Sequence, residues 1–229
     1  MLNVPDFHTL PHPCRFYFVR HGESEGNASA RIQGHTDSPL SELGRSHAEA
    51  AGRWLADKDV DLVLSSPLSR ARETAAAIAR HTGARGPDAV PELIELDTGL
   101  LSGTRIDDLK RDDPELYAQF RVRSWEAIPD AEPIASLRAR ARAAWDRLIA
   151  LARGGARTIV SVSHGGTIQW LIKSTIGSDE QRWMPLFPAS NCGIFLFRAE
   201  STLGSNEAGA HVPGSGYYGA WVHVNHVPY

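Results

Sequence analysis

Two short apolar runs in the sequence end in the same way, in a histidine that is followed by a glycine. Residues 16–19 read Phe-Tyr-Phe-Val and lead, after one arginine, to His21; residues 158–162 read Thr-Ile-Val-Ser-Val and lead, after one serine, to His164. Aromatic and β-branched runs of this length predict buried strands. Ligands of open α/β sheets bind at the carboxyl ends of the strands. If both strands are central and parallel, both histidines emerge at that edge.

The other apolar patterns alternate between strand and helix spacing along the chain. Ser66 and Pro67 form a typical helix start, with serine as the cap and proline at the first helical position. The alternation predicts an α/β sandwich. Predicted strands also cover residues 62–64, 91–95, 191–197 and 221–226; predicted helices start at Ser41 and Ser66, cover about 106–120 and 137–149, and follow His164 to about 176; a loop is predicted at 201–219.

Length and charge restrict the classes of function. The 229 residues suffice for one large domain, so we predict a single domain over residues 1–229. The formal net charge of −3 gives no basic footprint for nucleic acid or for an anionic membrane. No secretory leader and no bilayer-spanning apolar stretch is visible. Cys14 and Cys192 are typical of free thiols in a reducing compartment, and we predict a cytoplasmic protein without nucleic-acid or membrane partners.

The residues beside the two histidines suit an anionic ligand. Arg20 precedes His21 and provides a planar cation with several donors, which matches phosphate. Gly22 and Gly165 let the backbone approach a ligand closely and offer amide groups to an anion. One His-Gly pair among 10 histidines is a weak signal, but two at matching strand ends, one of them preceded by arginine, indicate an anion site.

Five short blocks of the sequence together resemble one known family. They are residues 18–24 (Phe-Val-Arg-His-Gly-Glu-Ser) with Asn27, 34–44 (Gly-His-Thr-Asp-Ser-Pro-Leu-Ser-Glu-Leu-Gly), 65–75 (Ser-Ser-Pro-Leu-Ser-Arg-Ala-Arg-Glu-Thr-Ala), 95–99 (Glu-Leu-Asp-Thr-Gly) and 163–166 (Ser-His-Gly-Gly). In this order the blocks resemble the histidine phosphatase (phosphoglycerate-mutase-like) superfamily, over about residues 16–197. The resemblance implies a three-layer α/β/α sandwich with a mostly parallel central sheet.

The resemblance also implies a role for each matching residue. His21 would be the nucleophile that takes up a phosphoryl group, and Glu95 would donate a proton to the leaving group and later act as the base for water. Phosphoryl transfer needs an in-line attacker and fixed positive charge, which two arginines and a second histidine supply without a metal or a cofactor. The clamp would consist of Arg20, Arg70 and His164; Asn27, Gly34 and Gly165 would lie near the phosphate or substrate, with Ser24 and Gln33 as further candidates.

The identities of the acid and of the second arginine rest on the match to the family. Glu92 or Asp97 could be the acid in place of Glu95. Arg70 and Arg72 lie two residues apart on one predicted helix and point to nearly opposite sides, so both cannot reach one phosphate. Arg70 lies in the first turn and matches the family position, and it is therefore the predicted clamp residue.

Other polar and aromatic residues have two interpretations each. Asn191 is either a turn residue before a strand or part of the site. Trp125 either lines the pocket or packs within the segment 96–133. His223 and His226 have no cysteine or carboxylate spaced with them like a known metal-ligand set, so no metal site is predicted.

The segment 96–133, called the cap below, would cover the pocket and decide the substrate. It holds five basic residues against nine acidic ones, a net charge of −4, which is a poor match for the polyanionic bisphosphate of cofactor-dependent mutases. Residues 100–103 read Leu-Leu-Ser-Gly, where the mutases have Tyr-Gly and many phosphatase relatives Trp-Glu-Gly. We predict a phosphatase acting on a small-molecule phosphate ester.

Three other functions are weighed against this prediction. A phosphoglycerate mutase is the first alternative. A non-catalytic binding relative would have lost a nucleophile or clamp residue, and none is lost. A metal-dependent hydrolase would need a ligand set that the sequence does not offer. Several relatives form dimers, so a homodimer is one assembly that the resemblance allows.

Overall fold

A six-stranded sheet forms the centre of the protein in the computed structural model, which describes residues 5–176, 187–201 and 217–229. The strands lie in the order β3-β2-β4-β1-β5-β6, where β1 is Cys14–Arg20, β2 Leu62–Ser65, β3 Arg85–Ala89, β4 Thr158–Ser163, β5 Ile194–Ser201 and β6 Tyr217–His226. Strands β1 to β4 are parallel, whereas β5 is antiparallel to both of its neighbours. The sheet is therefore mostly parallel, as predicted.

Helices occupy most connections between the strands. Ser41 caps the second of them, because its Oγ accepts a hydrogen bond from the Gly44 amide at 3.0 Å, as predicted from the sequence. The described helices are α1 (Glu25–Ala28), α2 (Glu42–Leu55), α3 (Ser69–Thr82), α4 (Ile106–Asp112), α5 (Pro114–Arg123), α6 (Ile134–Arg153) and α7 (Gly165–Ile176), with short 3₁₀ turns at Phe7–Thr9, Pro91–Leu93, Gly99–Leu101 and Ser124–Ala127.

Helices cover both faces of the sheet, because successive side chains of a strand point to opposite faces. Along β1, Phe16 and Phe18 pack with apolar residues of α6 and α7. Tyr17 and Val19 belong to the cluster on the opposite face, which includes residues of α2 and α3. This arrangement confirms the predicted three-layer α/β/α sandwich.

The predicted strand at 91–95 is wrong, and the edge strand is β3 instead. Pro91 begins a 3₁₀ turn, since proline lacks the amide that would continue a ladder. The ladder between β2 and β3 ends with the Val90 amide donating to Ser65 O at 2.8 Å. Every residue of β3 is exposed, so this strand has no apolar pattern by which it could be recognised.

Helix α3 begins at Ser69, later than its predicted start at Ser66 and Pro67. The Ser66 hydroxyl lies at the sheet edge, where it is 2.7 Å from His164 Nε2 and accepts a weaker bond from the Leu68 amide at 3.3 Å. The serine that would cap the helix is thus bound to a histidine of another strand, and the helix starts beyond it.

The cap contains two helices rather than the single one predicted at 106–120. Helix α4 ends at Asp112, and α5 starts at Pro114 with the Asp113 carboxylate accepting from the Leu116 amide at 2.9 Å. The residue before a proline disfavours helical backbone, which explains the break. A small apolar cluster holds the cap together; its buried members are Leu101, Leu109 and Ile128.

The last two strands were both predicted from the sequence, but they begin at other residues than predicted. Strand β5 begins at Ile194 rather than 191, and β6 extends from Tyr217 at the edge of the sheet. Residues 202–216, most of the predicted loop at 201–219, lie outside the described residues. Across the described ranges, no helix is both long enough and apolar enough to cross a membrane.

Candidate active site

The two histidines lie side by side at the carboxyl edge of the sheet. His21 follows β1 and His164 follows β4, and these strands are hydrogen-bonded neighbours in parallel register. The His21 amide donates to Ser163 O at 2.9 Å, and the two ring centroids are 5.0 Å apart. The structure therefore brings together the two residues that opened the sequence analysis.

His21 is arranged as a neutral imidazole with one free nitrogen. Its Nδ1 lies 2.7 Å from Gly22 O, so Nδ1 carries the proton and Nε2 keeps its lone pair. Burial, reinforced by the charges of Arg20 and Arg70, holds the pKa of His21 well below its usual 6.5. A buried, unprotonated Nε2 can act as a nucleophile.

Two arginines flank this histidine in a pocket of about 200 Å³. Arg20 ends β1 and donates from Nη1 to Ala189 O. Arg70 lies in the first turn of α3 and is only 1% exposed; it donates to Thr36 O at 2.9 Å and to Gly34 O at 2.8 Å. Burial lowers the pKa of both side chains. Carbonyl groups thus fix both guanidinium groups without neutralising them.

Arg72 is on the other side of its helix, as the spacing argument predicted. It is exposed and lines a separate groove with Ser69 and Glu73. Arg70, by contrast, lines the pocket that contains His21. The two arginines of the 65–75 block therefore have different surroundings.

Three buried nitrogen atoms of the predicted clamp residues have no hydrogen-bond partner among the described residues; Arg20 and Arg70 line the pocket, whereas His164 does not. They are Nε of Arg20, Nε of Arg70 and Nδ1 of His164. Burial, together with the charges of His21 and Arg70, keeps the pKa of His164 well below 6.5. Buried polar atoms in native structures normally have partners, so this set indicates a ligand with several acceptor oxygens.

Glu95 lines the same pocket and binds the start of α7. Its carboxylate accepts hydrogen bonds from the amides of Leu96 (2.9 Å), Gly166 (3.2 Å) and Thr167 (3.1 Å). A Cβ atom on Gly166 would come within 2.6 Å of Glu95 Oε1, so a larger residue at that position would displace the Glu95 side chain. These three amides fix the carboxyl oxygens in place.

Neither alternative acid lines the pocket. The Glu92 carboxylate binds Arg147 at 2.9 Å, and the Asp97 carboxylate accepts from the Gly99 amide and lies 3.7 Å from His35. Among the described residues, Glu95 is the one carboxylate in the pocket wall.

The loop after β1 provides the polar wall of the pocket. Asn27, Gln33 and Gly34 line it. Ser24 is fully buried and does not line it; its hydroxyl lies 3.0 Å from Asn27 Oδ1 and 2.9 Å from Gln33 Oε1 and can donate its one proton to either. Gly165 does not line the pocket, but its neighbour Gly166 does. Ser24 therefore orients two pocket side chains.

The two residues with open interpretations both contribute to the site. Asn191 Nδ2 donates to His21 O at 3.1 Å and to Asn27 Oδ1 at 3.2 Å, so it joins the segment of His21 to the polar wall. Trp125 lines the pocket and also packs edge-on against Phe120 of the cap, with ring centroids 5.1 Å apart. Both interpretations of Trp125 are thus correct.

Five further residues line the pocket without having been singled out from the sequence. Leu96, Thr98 and Gly166 lie inside the blocks that resemble the family, and that membership was the available signal. Arg31 and Ile32 lie between two blocks in a polar loop, where no periodic pattern marks them. The five are Arg31, Ile32, Leu96, Thr98 and Gly166.

The described residues contain no group of three or more His, Cys, Asp or Glu side chains that could hold a metal ion. His223 and His226 lie near each other, with ring centroids 5.8 Å apart. The second ring also packs against Trp54, at 4.8 Å, so these histidines belong to the edge of the sheet.

Comparison with known proteins agrees with this geometry. The chain is 34% identical over 163 residues to a probable phosphoglycerate mutase GpmB of Yersinia pestis, which covers 70% of this chain and 74% of that protein. A mycobacterial glucosyl-3-phosphoglycerate phosphatase superposes with a TM-score of 0.76 and 27% identity, over 93% of this chain and 99% of that one. A phosphoglycerate mutase from Bacillus anthracis superposes with a TM-score of 0.68 and 25% identity, over 82% of this chain and 89% of that one.

The family model of the histidine phosphatase superfamily (branch 1) matches residues 16–204. This range contains both histidines, both pocket arginines and Glu95. The chain therefore belongs to the histidine phosphatase superfamily, branch 1.

Proposed function

We propose that this chain is a metal-independent phosphatase that hydrolyses small phosphate monoesters through a phosphohistidine at His21. The observation that carries the proposal is that a neutral histidine, His21, shares one pocket with two arginines whose hydrogen bonds go to carbonyl oxygens. A phosphoryl group has several acceptor oxygens and a negative charge, which match these two guanidinium groups.

In the first step, the lone pair of His21 Nε2 attacks phosphorus while the bond to the ester oxygen breaks. The electron pair of that bond leaves on the oxygen, which takes a proton from the Glu95 carboxyl group and departs as an alcohol. Arg20 and Arg70 hold the equatorial oxygens by positive charge that is already oriented. His164 adds a third donor, since an anion beside it favours its protonated form.

In the second step, water attacks the phosphohistidine, gives its proton to the Glu95 carboxylate, and releases phosphate and the free His21. The same carboxyl group is thus acid and then base. Covalent capture divides hydrolysis into two easier steps.

The mutase alternative has less support from the pocket wall. A mutase must also hold the acid group and second phosphate of its bisphosphate. None of the cap's five basic residues lines the pocket among the described residues; they are Arg105, Lys110, Arg111, Arg121 and Arg123. The proposal therefore keeps hydrolysis as the reaction, although a named relative is a probable mutase.

The pocket rim supports one statement about the substrate. Arg31 is exposed at the rim, its Nη1 donates to Gly103 O at 2.7 Å, and among the described residues no carboxylate lies within ion-pair distance of it. A cation free to bind a second group favours esters that carry an additional acid group. The glycerate ester in the name of the mycobacterial phosphatase is of this kind.

A cytoplasmic location is part of the proposal. Cys14 and Cys192 are both free and buried, which suits a reducing compartment.

Replacing His21 by alanine should abolish the reaction, because the variant has no nucleophile. We expect phosphate release from a panel of monoesters to fall by about 10³-fold or more, together with loss of an acid-labile phosphoenzyme trapped under alkaline conditions. The control is His8→Ala, at an exposed histidine of the N-terminal 3₁₀ turn that does not line the pocket. Retained turnover in His21→Ala would contradict the nucleophile assignment.

The two arginines of the 65–75 block should differ sharply. Arg70→Ala should lower kcat/KM by about 10²–10³-fold, since it removes a fixed cation from the transferring group. Arg72→Ala should stay within about threefold, as an exposed charge outside the pocket. Equal losses in steady-state kinetics would contradict this distinction.

Chelation should leave the activity unchanged. The clamp consists of guanidinium and imidazole groups, so dialysis against EDTA removes nothing that the proposed mechanism uses. Turnover is measured before and after chelation, and again after Mg²⁺, Mn²⁺ or Zn²⁺ is added back. Activity lost on chelation and restored by one of these ions would favour a metal-dependent hydrolase.

Arg31→Gln should change substrate preference rather than chemistry. The matched substrates are 3-phosphoglycerate and glycerol 3-phosphate, which differ by a carboxylate. We expect the ratio of their kcat/KM values to fall by about tenfold, the value of one charge-assisted hydrogen bond. Arg121→Gln, a cap arginine outside the pocket wall, is the control. An unchanged ratio would show that Arg31 does not bind the carboxylate.

A further inference from the structure

An ion pair lies behind Glu95, outside the pocket wall. Arg140 belongs to α6, and Glu132 is the last acidic residue of the cap, just before that helix. Arg140 Nη2 is 2.7 Å from Glu132 Oε2 and Nε is 3.1 Å from Oε1, so the pair is bidentate. The side chains are 15% and 11% exposed. None of the roles assigned above uses these two residues.

The same guanidinium group also binds the backbone that leads to Glu95. Arg140 Nη1 donates to Glu92 O at 3.1 Å and to Ile94 O, and Nη2 reaches Glu95 O at 3.5 Å. Residues 94–98 belong to neither a helix nor a strand, so no ladder of backbone bonds fixes their path. Arg140 shares that task with two hydroxyl groups on the N-terminal side of Glu95. Thr167 Oγ1 donates to Ile94 O at 2.6 Å and Ser163 Oγ to Leu93 O at 2.7 Å, and His35 Nε2 lies 2.7 Å from Glu95 O.

Glu132 holds the backbone on the other side. Its amide donates to Asp97 O at 2.9 Å, and its Oε2 accepts from the Asp97 amide at 3.4 Å. Next to it, Thr98 and Ala131 form an isolated antiparallel bridge. The start and the end of the cap therefore meet at the ion pair, with Glu95 between its two attachment points.

A carboxyl group that exchanges protons with a leaving oxygen must keep its position closely, because a misplacement of about 1 Å costs up to about 10²-fold in rate. Helix α7 holds the carboxylate end of Glu95 through the amides described above, and the ion pair holds its backbone. A buried ion pair is weak evidence for stability, since apolar residues of the same volume often serve as well. Its bidentate geometry does provide orientation.

We propose that Arg140 and Glu132 are positioning residues for proton transfer by Glu95, and that through them the cap is coupled to the acid. This inference rests on the proposed function, because it assumes that Glu95 protonates the leaving oxygen. Neither residue touches the substrate; both act through the backbone of residues 92–97.

Leaving groups of different acidity distinguish positioning of the acid from a general structural role. An alkyl phosphate needs a proton on its departing oxygen, whereas 4-nitrophenolate departs without one. Since kcat/KM reports the steps up to the first departure, its ratio between the two substrates isolates the proton transfer. A variant that merely loosens the fold lowers both values alike.

The experiment measures kcat/KM for glycerol 3-phosphate and 4-nitrophenyl phosphate in the full chain. Glu95→Gln cannot transfer the proton, so it shows how large the selective loss on the alkyl ester becomes without the acid. Arg140→Met should lower the alkyl value by about tenfold or more and the aryl value by less than about threefold, with Arg140→Lys in between. Arg147→Met is the matched control, since Arg147 also lies on α6 and binds Glu92, but through an exposed ion pair that contributes little.

Glu132→Gln provides a second variant of nearly the same size, in case Arg140→Met does not fold, which thermal melting of each variant detects. We expect the same selective loss in it. Equal losses on both substrates, or no loss on either, in folded Arg140 and Glu132 variants would overturn the inference. Wild-type protein that hydrolyses neither ester would instead count against the proposed function.

Discussion

The parallel pairing of β1 with β4 is the constraint on which the site depends. It aligns Arg20 with Ser163, so the next residue of each strand, His21 or His164, leaves the sheet at the same edge. Backbone hydrogen bonds set this register, and a slip of one residue would turn every side chain of a strand to the other face. Such a slip would also turn His21 or His164 away from its neighbour.

Positive charge that is held by carbonyl oxygens, with no carboxylate of the described residues in ion-pair contact, is the main electrostatic feature of this edge. Arg20 and Arg70 are fixed by carbonyl oxygens, and burial lowers the pKa of both histidines well below its usual value, which favours their neutral forms. Polar groups held in place before the ligand arrives need no reorganisation during the reaction. Burying these groups lowers the stability of the folded protein, and an anion bound in the pocket offsets that loss. Ligand binding should therefore stabilise the folded chain by mass action.

Much of the fold and of the site could be predicted from local sequence, because the signals were local. Strand ends, the Ser41 cap and the opposite directions of Arg70 and Arg72 follow from side-chain periodicity. Strand β3 could not be found, since all of its residues are exposed. The late start of α3 depends on a contact between Ser66 and His164 that only the tertiary structure creates.

Other misses have different causes. The break between α4 and α5 was readable at Pro114, and the prediction of one helix overlooked it. Arg140 looked like one of many polar residues on an amphipathic helix, and nothing in its spacing shows that it binds the backbone before Glu95. Residues that act through the backbone of a distant segment have no sequence pattern of their own, whereas those of the blocks could be assigned by resemblance.

The bond between Ser66 and His164 has a mechanical consequence. Ser66 directly follows β2 and precedes α3, the helix that carries Arg70, so one short connection is tied to two members of the clamp. A displacement of α3 against the sheet would therefore be passed to His164 as well as to Arg70. Glu95 is tied to the same edge, because the amides of Gly166 and Thr167 that bind its carboxylate closely follow His164. The side chains of Arg70, His164 and Glu95 thus belong to one mechanical unit, built from the ends of β2 and β4.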